Sequence, residues 1–313
     1  MEEIIKNDGA RKKTASMSSQ KTQKLVFYCT MIVLPIVQFL VFYVYINAKS
    51  FTLGFQEYSY ATGKYTFAGL KNFKQIFLDF QSKEYLWNTV WNSIELFFWL
   101  MIFCSFVAVF FSYYIFKKHP GSMLFKIFLY MPQMLGGVVV VIMYKFFVDM
   151  AVPEIGSLFG MEIKGLLTNI ETRRFTIIFF TIYTSFGSQV LVYSSAMSGI
   201  SDSIIESAQL DGITPMRELI YIVLPSIWNT FVTFMVSSIV GIFTHQMSLY
   251  TFYGEKAEQS LYTFGYYLYK ETVSSGNYDF PYLSAMGLLL TCFAVPITLF
   301  TRWALKKFGP SSN

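Results

Sequence analysis

Six stretches of the sequence, at about 24–46, 88–116, 123–148, 174–198, 226–250 and 282–305, are mainly apolar, and polar segments separate them. A helix needs about 20 such residues to cross the hydrocarbon core of a bilayer. Only helices and closed barrels satisfy every backbone hydrogen bond where there is no water. The pattern therefore predicts an all-α integral membrane protein with about six transmembrane helices. Charged residues make up only 14% of the chain, against about 25% in soluble domains. Gly136-Gly137 interrupts the third stretch and Thr244-His245-Gln246 the fifth. Such breaks suit faces buried in protein rather than faces exposed to lipid.

Basic residues near the ends of the stretches set the orientation. Lys6, Arg11, Lys12, Lys13, Lys21 and Lys24, then Lys117, Lys118 and Lys126, then Arg217, and finally Arg302, Lys306 and Lys307 all fall on one side. The segments 47–87, 149–173 and 251–281 lie opposite, their basic residues balanced or exceeded by acids. Both termini are expected in the cytoplasm, with a disordered tail at 1–23, a permease body at 24–305 and a second tail at 306–313. The first stretch is too long for the apolar core of a signal peptide, and no small-residue cleavage site follows it, so an uncleaved helix is expected.

Within 47–87, Phe67, Leu70, Phe73, Ile76 and Phe77 recur every few residues, the stripe of a helix lying on the membrane surface. Leu261 to Tyr269 is a second such candidate. Cys29, Cys104 and Cys292 each sit in an apolar run, and an odd count without framework spacing reads as buried thiols rather than disulfides or a zinc site. The net charge of +5 is spread over helix ends and gives no nucleic-acid-binding face.

The segment 200–225, between the fourth and fifth stretches, carries the most specific signal. Asp202 or Ser203 can cap a helix through Glu206 and Ala208, Gly212 can end it, and a second helix can start at Thr214-Pro215. The expected product is a helical elbow on the cytoplasmic side, suited to dock in a cleft of a soluble partner. Glu206-Ser207-Ala208, Asp211-Gly212 and Leu224-Pro225 resemble the EAA loop of binding-protein-dependent ABC importer permeases, with Ser207 in place of the commoner alanine. Phe67-Ala-Gly-Leu-Lys-Asn-Phe, Tyr130-Met-Pro-Gln with Val138-Val-Val-Val, and Ser237 to Tyr250 extend the resemblance to the carbohydrate-uptake, maltose-transporter-like branch. Tyr253-Gly254-Glu255 departs from the Gly-Gly-Gly-Pro run frequent there.

The resemblance implies a type I importer permease fold in a bacterial plasma membrane. It makes Glu206, Ser207, Ala208, Asp211 and Gly212 a coupling helix on an ATPase subunit. It also implies a second permease subunit in a heterodimer, two ATPase subunits holding ATP and magnesium, an extracytoplasmic solute-binding protein, and a sugar as cargo. No cofactor is expected on this chain, which lacks a phosphate loop, a zinc-protease motif and a nucleophile elbow.

Polar residues inside the stretches are the candidates for the substrate pathway. Asn92 and Glu95 lie near Trp99 on one face of the second stretch; an ionisable group in a membrane faces a polar interior or a partner, although Glu95 also fits a helix-end carboxylate near the interface. Gln133 is a further candidate, and Gln189 and Tyr193 share a helix face at i,i+4. His245 and Gln246 suit either packing or sugar contact, since no Cys or carboxylate joins His245 at metal-ligand spacing. Lys145 is read as reaching outward to the interface. An ion-coupled transporter, with Glu95 as its coupling charge, and a membrane anchor or sensor without transport remain the alternatives.

Overall fold

The computed structural model describes residues 22–310, so the readings on 1–21 and 311–313 fall outside the described residues. In chain order the elements are α1 (Thr22–Leu53), strands β1 (Gln56–Ser59) and β2 (Lys64–Phe67), α2 (Lys71–Ser82), α3 (Glu84–Phe116), α4 (Ser122–Met134), α5 (Gly137–Leu158), α6 (Ile170–Met197) and α7 (Asp202–Leu210). A bent helical run, α8 (215–226), follows, then α9 (Trp228–Thr244), α10 (Leu249–Tyr253), α11 (Phe264–Ser274) and α12 (Phe280–Phe308). Among the described residues, five helical segments are long and apolar enough to cross a membrane, α9 being counted with its continuation to Lys256; there are six if α4 and α5 form one broken span.

The helices pack around two apolar centres. Near the hairpin, Leu86 and Leu96 of α3, Ile177 and Phe180 of α6, Val141 of α5, Tyr266 of α11 and Met286 of α12 are buried together with Leu249 and Phe252. At the other end, Cys104 and Val109 of α3, Val190, Tyr193 and Met197 of α6, Ile205 of α7, Leu219 and Val223 of α8 and Phe231 of α9 form the second centre. Trp228 Nε1 donates to the Leu305 carbonyl at 3.0 Å, which brings the end of α12 to this elbow end. α1 is the exception: its residues are exposed through Thr52. It meets the bundle where Gly54 packs on α12, with room so limited that a Cβ there would lie 2.8 Å from Leu288.

Several sequence expectations change. The third stretch is not one straight span, because Leu135 and Gly136 adopt extended backbone and α4 and α5 meet at 107°. The break is tied to packing. α4 crosses α6 at Gly187, where a Cβ would sit 2.0 Å from the Leu129 carbonyl oxygen, while Tyr144 of α5 bonds the Thr176 carbonyl at 3.0 Å. The fifth stretch likewise stops at Thr244: His245 is extended, and Met247 and Ser248 take left-handed φ values of 50° and 53°.

Segment 47–87 is not one surface helix. It contains the end of α1, an antiparallel hairpin pairing Gln56 with Phe67, and α2, whose Ile76 and Asp79 are buried while Phe67, Leu70 and Phe77 stay exposed. The second surface candidate is the buried start of α11, with Phe264, Tyr266 and Tyr267 inside. Of the cysteines only Cys104 is buried; Cys29 and Cys292 lie on the outside of the bundle. Lys145 does not reach for an interface but turns to the Phe252 carbonyl at 3.4 Å.

Candidate coupling elbow and pathway residues

The N-cap position of α7 is Ser201 rather than the expected Asp202 or Ser203, without a side-chain cap bond, and Asp202 falls in the first turn, where a negative charge complements the helix dipole. The Ser201 hydroxyl bonds that of Ser203 at 2.8 Å. The far end closes as a Schellman turn: Gly212 N–H donates to Gln209 O at 3.0 Å and Ile213 N–H to Ala208 O at 3.2 Å. That turn places residue 212 at φ +74°, a conformation that glycine adopts without Cβ strain. Thr214 then caps α8, with Pro215 in its first turn, where a missing N–H costs nothing.

α7 stands away from the bundle. Ile205 is its one buried residue; Glu206, Ser207, Asp211 and Gly212 are exposed and Ala208 is half-buried. Ile204, Met216, Ile220 and Tyr221 add exposed apolar surface, and Leu210 is 89% exposed. α8 is the opposite on its inner side. Glu218 and Leu219 are buried, and Glu218 Oε1 meets Lys117 Nζ at 2.5 Å and accepts from the Tyr113 hydroxyl at 3.1 Å.

The pathway candidates do not converge on one site within this chain. Asn92 pins α3 to the segment before α11, donating to the Ser260 and Tyr262 carbonyls at 2.8 and 2.9 Å. Glu95 pairs with Arg174 of α6 and accepts from Trp99 Nε1 at 3.4 Å. The pair rims an aromatic groove of about 540 Å³ between α3 and α6, lined by Trp99, Phe103, Phe111, Phe179 and Tyr183. Gln133, on α4, donates to the Thr184 carbonyl of α6 at 3.3 Å.

Tyr193 is fully buried against Phe234 at 5.1 Å. Its hydroxyl, Gln189 Oε1 and Ser105 Oγ are buried without hydrogen-bond partners. His245 and Gln246 sit half-buried at the break after α9, and His245 Nδ1 accepts from Met247 N–H at 3.1 Å. Among the described residues no group of His, Cys, Asp and Glu could hold a metal ion. The pairing of Glu218 with Lys117 and Tyr113, and of Glu95 with Arg174, escapes sequence reasoning: Tyr113 and Glu218 are 105 positions apart, and no periodicity links them.

Residues 105–312 match the family model described as binding-protein-dependent transport system inner membrane component. The chain is 22% identical to the arabinooligosaccharides transport system permease protein AraP of Bacillus subtilis, over 84% of this chain and 83% of that protein. It is 23% identical to the polygalacturonan/rhamnogalacturonan transport system permease protein YteP of the same organism, over 90% and 88%. Among solved structures, a bacterial ABC transporter involved in the import of the acidic polysaccharide alginate superposes with a TM-score of 0.73 at 20% identity, covering 92% of this chain and 97% of that one. The same fold is met at a TM-score of 0.71 and 19% identity in a bacterial alginate ABC transporter in complex with alginate pentasaccharide-bound periplasmic protein.

Proposed function

The chain belongs to the family of binding-protein-dependent transport system inner membrane components, and on that footing we propose that it is a permease subunit of an ATP-driven importer whose cargo is a sugar or oligosaccharide. The observation that carries the coupling mechanism is α7: a short, capped helix held away from the bundle, with its apolar end residue Leu210 almost fully in solvent. An exposed apolar surface on a rigid element is the mark of a docking site. An ATPase subunit seats there, binds ATP and magnesium, and moves α7 as it closes. α8, whose Leu219 and Val223 belong to the elbow core, passes that motion to α3, α6 and α9.

The second permease subunit covers what this chain leaves open. α1 is exposed along nearly its whole length, and the aromatic groove rimmed by Glu95 and Arg174 opens outward from the chain. A heterodimer brings two such faces together around a pathway, and two ATPase subunits serve its two elbows. A solute-binding protein delivers cargo at the hairpin end, the elbow and both termini being cytoplasmic by the placement of Lys and Arg. The sugar class follows the named cargoes of AraP and YteP. The amides of Gln133, Gln189 and Gln246 suit sugar hydroxyl groups, whereas Tyr193, expected to cover an apolar sugar face, packs in the core against Phe234 instead. Ion coupling finds less support, because Glu95 is already paired with Arg174.

Gly212→Val tests the coupling role. There is open space around a Cβ at 212, so the φ of +74° is the obstacle. A left-handed β-branched residue costs at least about 1–2 kcal/mol, a factor of roughly 5–30 in the population of the docking geometry. Co-purification of the ATPase subunit and uptake both fall in the expected outcome; if both stay at wild-type level, the coupling assignment is removed.

A further inference from the structure

Four carboxylates lie on the elbow, Asp202, Glu206, Asp211 and Glu218, and three of them are exposed. Glu218 alone is buried, at 2% exposure. A buried carboxylate persists only where donors meet it, and both donors to Glu218 come from one place, the C-terminal end of α3 and its C-cap residue Lys117. Lys117 Nζ lies 2.5 Å from Oε1 and the Tyr113 hydroxyl 3.1 Å from the same atom, while Lys117 also sits 5.7 Å from the centre of the Tyr113 ring. Among the described residues these are the only side-chain hydrogen bonds or ion pairs that join 201–226 to another helix. The rest of the elbow's hold on the bundle is apolar: Ile205, Leu219 and Val223 against Val109 and Met197.

We infer that the Lys117–Glu218 pair, with Tyr113, is a positioning joint that makes the coupling elbow and the end of α3 move as one rigid body. Apolar contacts are non-directional and let one helix slide over another. An ion pair in apolar surroundings does not slide, because separating it leaves an uncompensated buried charge. The joint lies between the exposed docking helix and a transmembrane helix, so a pull on α7 displaces α3 rather than repacking the interface. Glu218 sits in the first turn of α8, four residues after Thr214 caps it, so the lever between the Gly212 turn and the grip is one helical turn. The inference rests on the reading of α7 as the ATPase-docking element, and names the residues that carry motion out of it.

The test uses the complete importer with spin labels at Ser203→Cys on α7 and His119→Cys after α3, both exposed and outside the docking surface assigned to Leu210, in a background where the three native cysteines are replaced. Distances are measured without nucleotide and after trapping with ATP and vanadate. In the otherwise wild-type chain the distance stays the same in both states, with a narrow distribution. In Glu218→Gln, which keeps size and the Tyr113 contact but loses the charge pair, the distribution broadens and its centre shifts on trapping, while the ATPase subunit still co-purifies. The exchange Lys117→Glu with Glu218→Lys restores the narrow distribution, a rescue that a role in mere folding does not produce.

Should Glu218→Gln fail to fold, Tyr113→Phe carries the same comparison, since it removes one of the two grips. A distance that changes with nucleotide in the otherwise wild-type chain, or one that stays narrow and fixed in both Glu218→Gln and Tyr113→Phe, overturns the inference. Failure of the docking reading is separate and visible beforehand, as loss of ATPase co-purification from the unlabelled wild-type chain.

Discussion

Carboxylates are rarely buried, and among the described residues two buried ones, Asp79 and Glu218, are each held by more than one donor. Asp79 accepts from Gln75 Nε2 at 2.9 Å, Lys83 Nζ at 2.9 Å and the Tyr282 hydroxyl at 2.8 Å. Burial by itself raises the pKa of Asp79, but the hydrogen bonds from Lys83, Tyr282 and Gln75 outweigh it and hold the carboxyl below its ordinary value. A depressed folded pKa stabilises the fold above the unfolded value, about 3.9, and that stabilisation is lost as pH falls through the folded value. Thermal unfolding in detergent is therefore expected to show Tm falling below about pH 4, with a smaller fall in Asp79→Asn. Gly187 offers a second test: with the Leu129 carbonyl oxygen 2.0 Å from a Cβ position, Gly187→Ala forces α4 off α6. A loss of about 1–3 kcal/mol, read as a lower Tm, is expected. Sequence alone placed the turn at Gly212 because its cause is local, a helix end that needs a left-handed φ. Glu218 stayed hidden because its meaning lies in a lysine and a tyrosine on another helix.

Each helix owes its readability to how local its causes are. The Gly212 end of α7 and the Thr214-Pro215 start of α8 were legible, since both depend on near neighbours; the N-cap of α7 falls on Ser201 rather than on Asp202 or Ser203, and no side chain caps it. The breaks at Leu135-Gly136 and His245-Ser248 were visible only as interruptions; the 107° between α4 and α5 arises from contacts with α6 that no local pattern encodes. The hairpin at 56–67 was missed because its strands are only four residues long and sit beside a stronger helical periodicity. α7 gives a prediction at this scale. Leu210→Asp changes a residue that is 89% exposed, so thermal stability should stay within about 0.5 kcal/mol of wild type, while ATPase co-purification drops. Equal co-purification of Leu210→Asp and wild type would take the docking surface away from this end of α7.

Across the whole molecule, the alternation of helices brings the start of α9 and the end of α12 together at the elbow, and the end of α1 and the start of α12 together at the hairpin. The apolar runs made the number of candidate spans legible. The buried roles of Asn92 and Tyr193 were not, because helical spacing says which residues share a face and not what the face meets. The family and the fold agree with this arrangement, which has consequences only if the elbow lies in the cytosol beside an ATPase. A membrane-impermeant thiol reagent applied to Leu210→Cys, with Cys29, Cys104 and Cys292 replaced, addresses this directly. The expected result is labelling in inside-out vesicles but not in intact cells, with protection when the ATPase subunit is bound. Labelling of residue 210 in intact cells would contradict it.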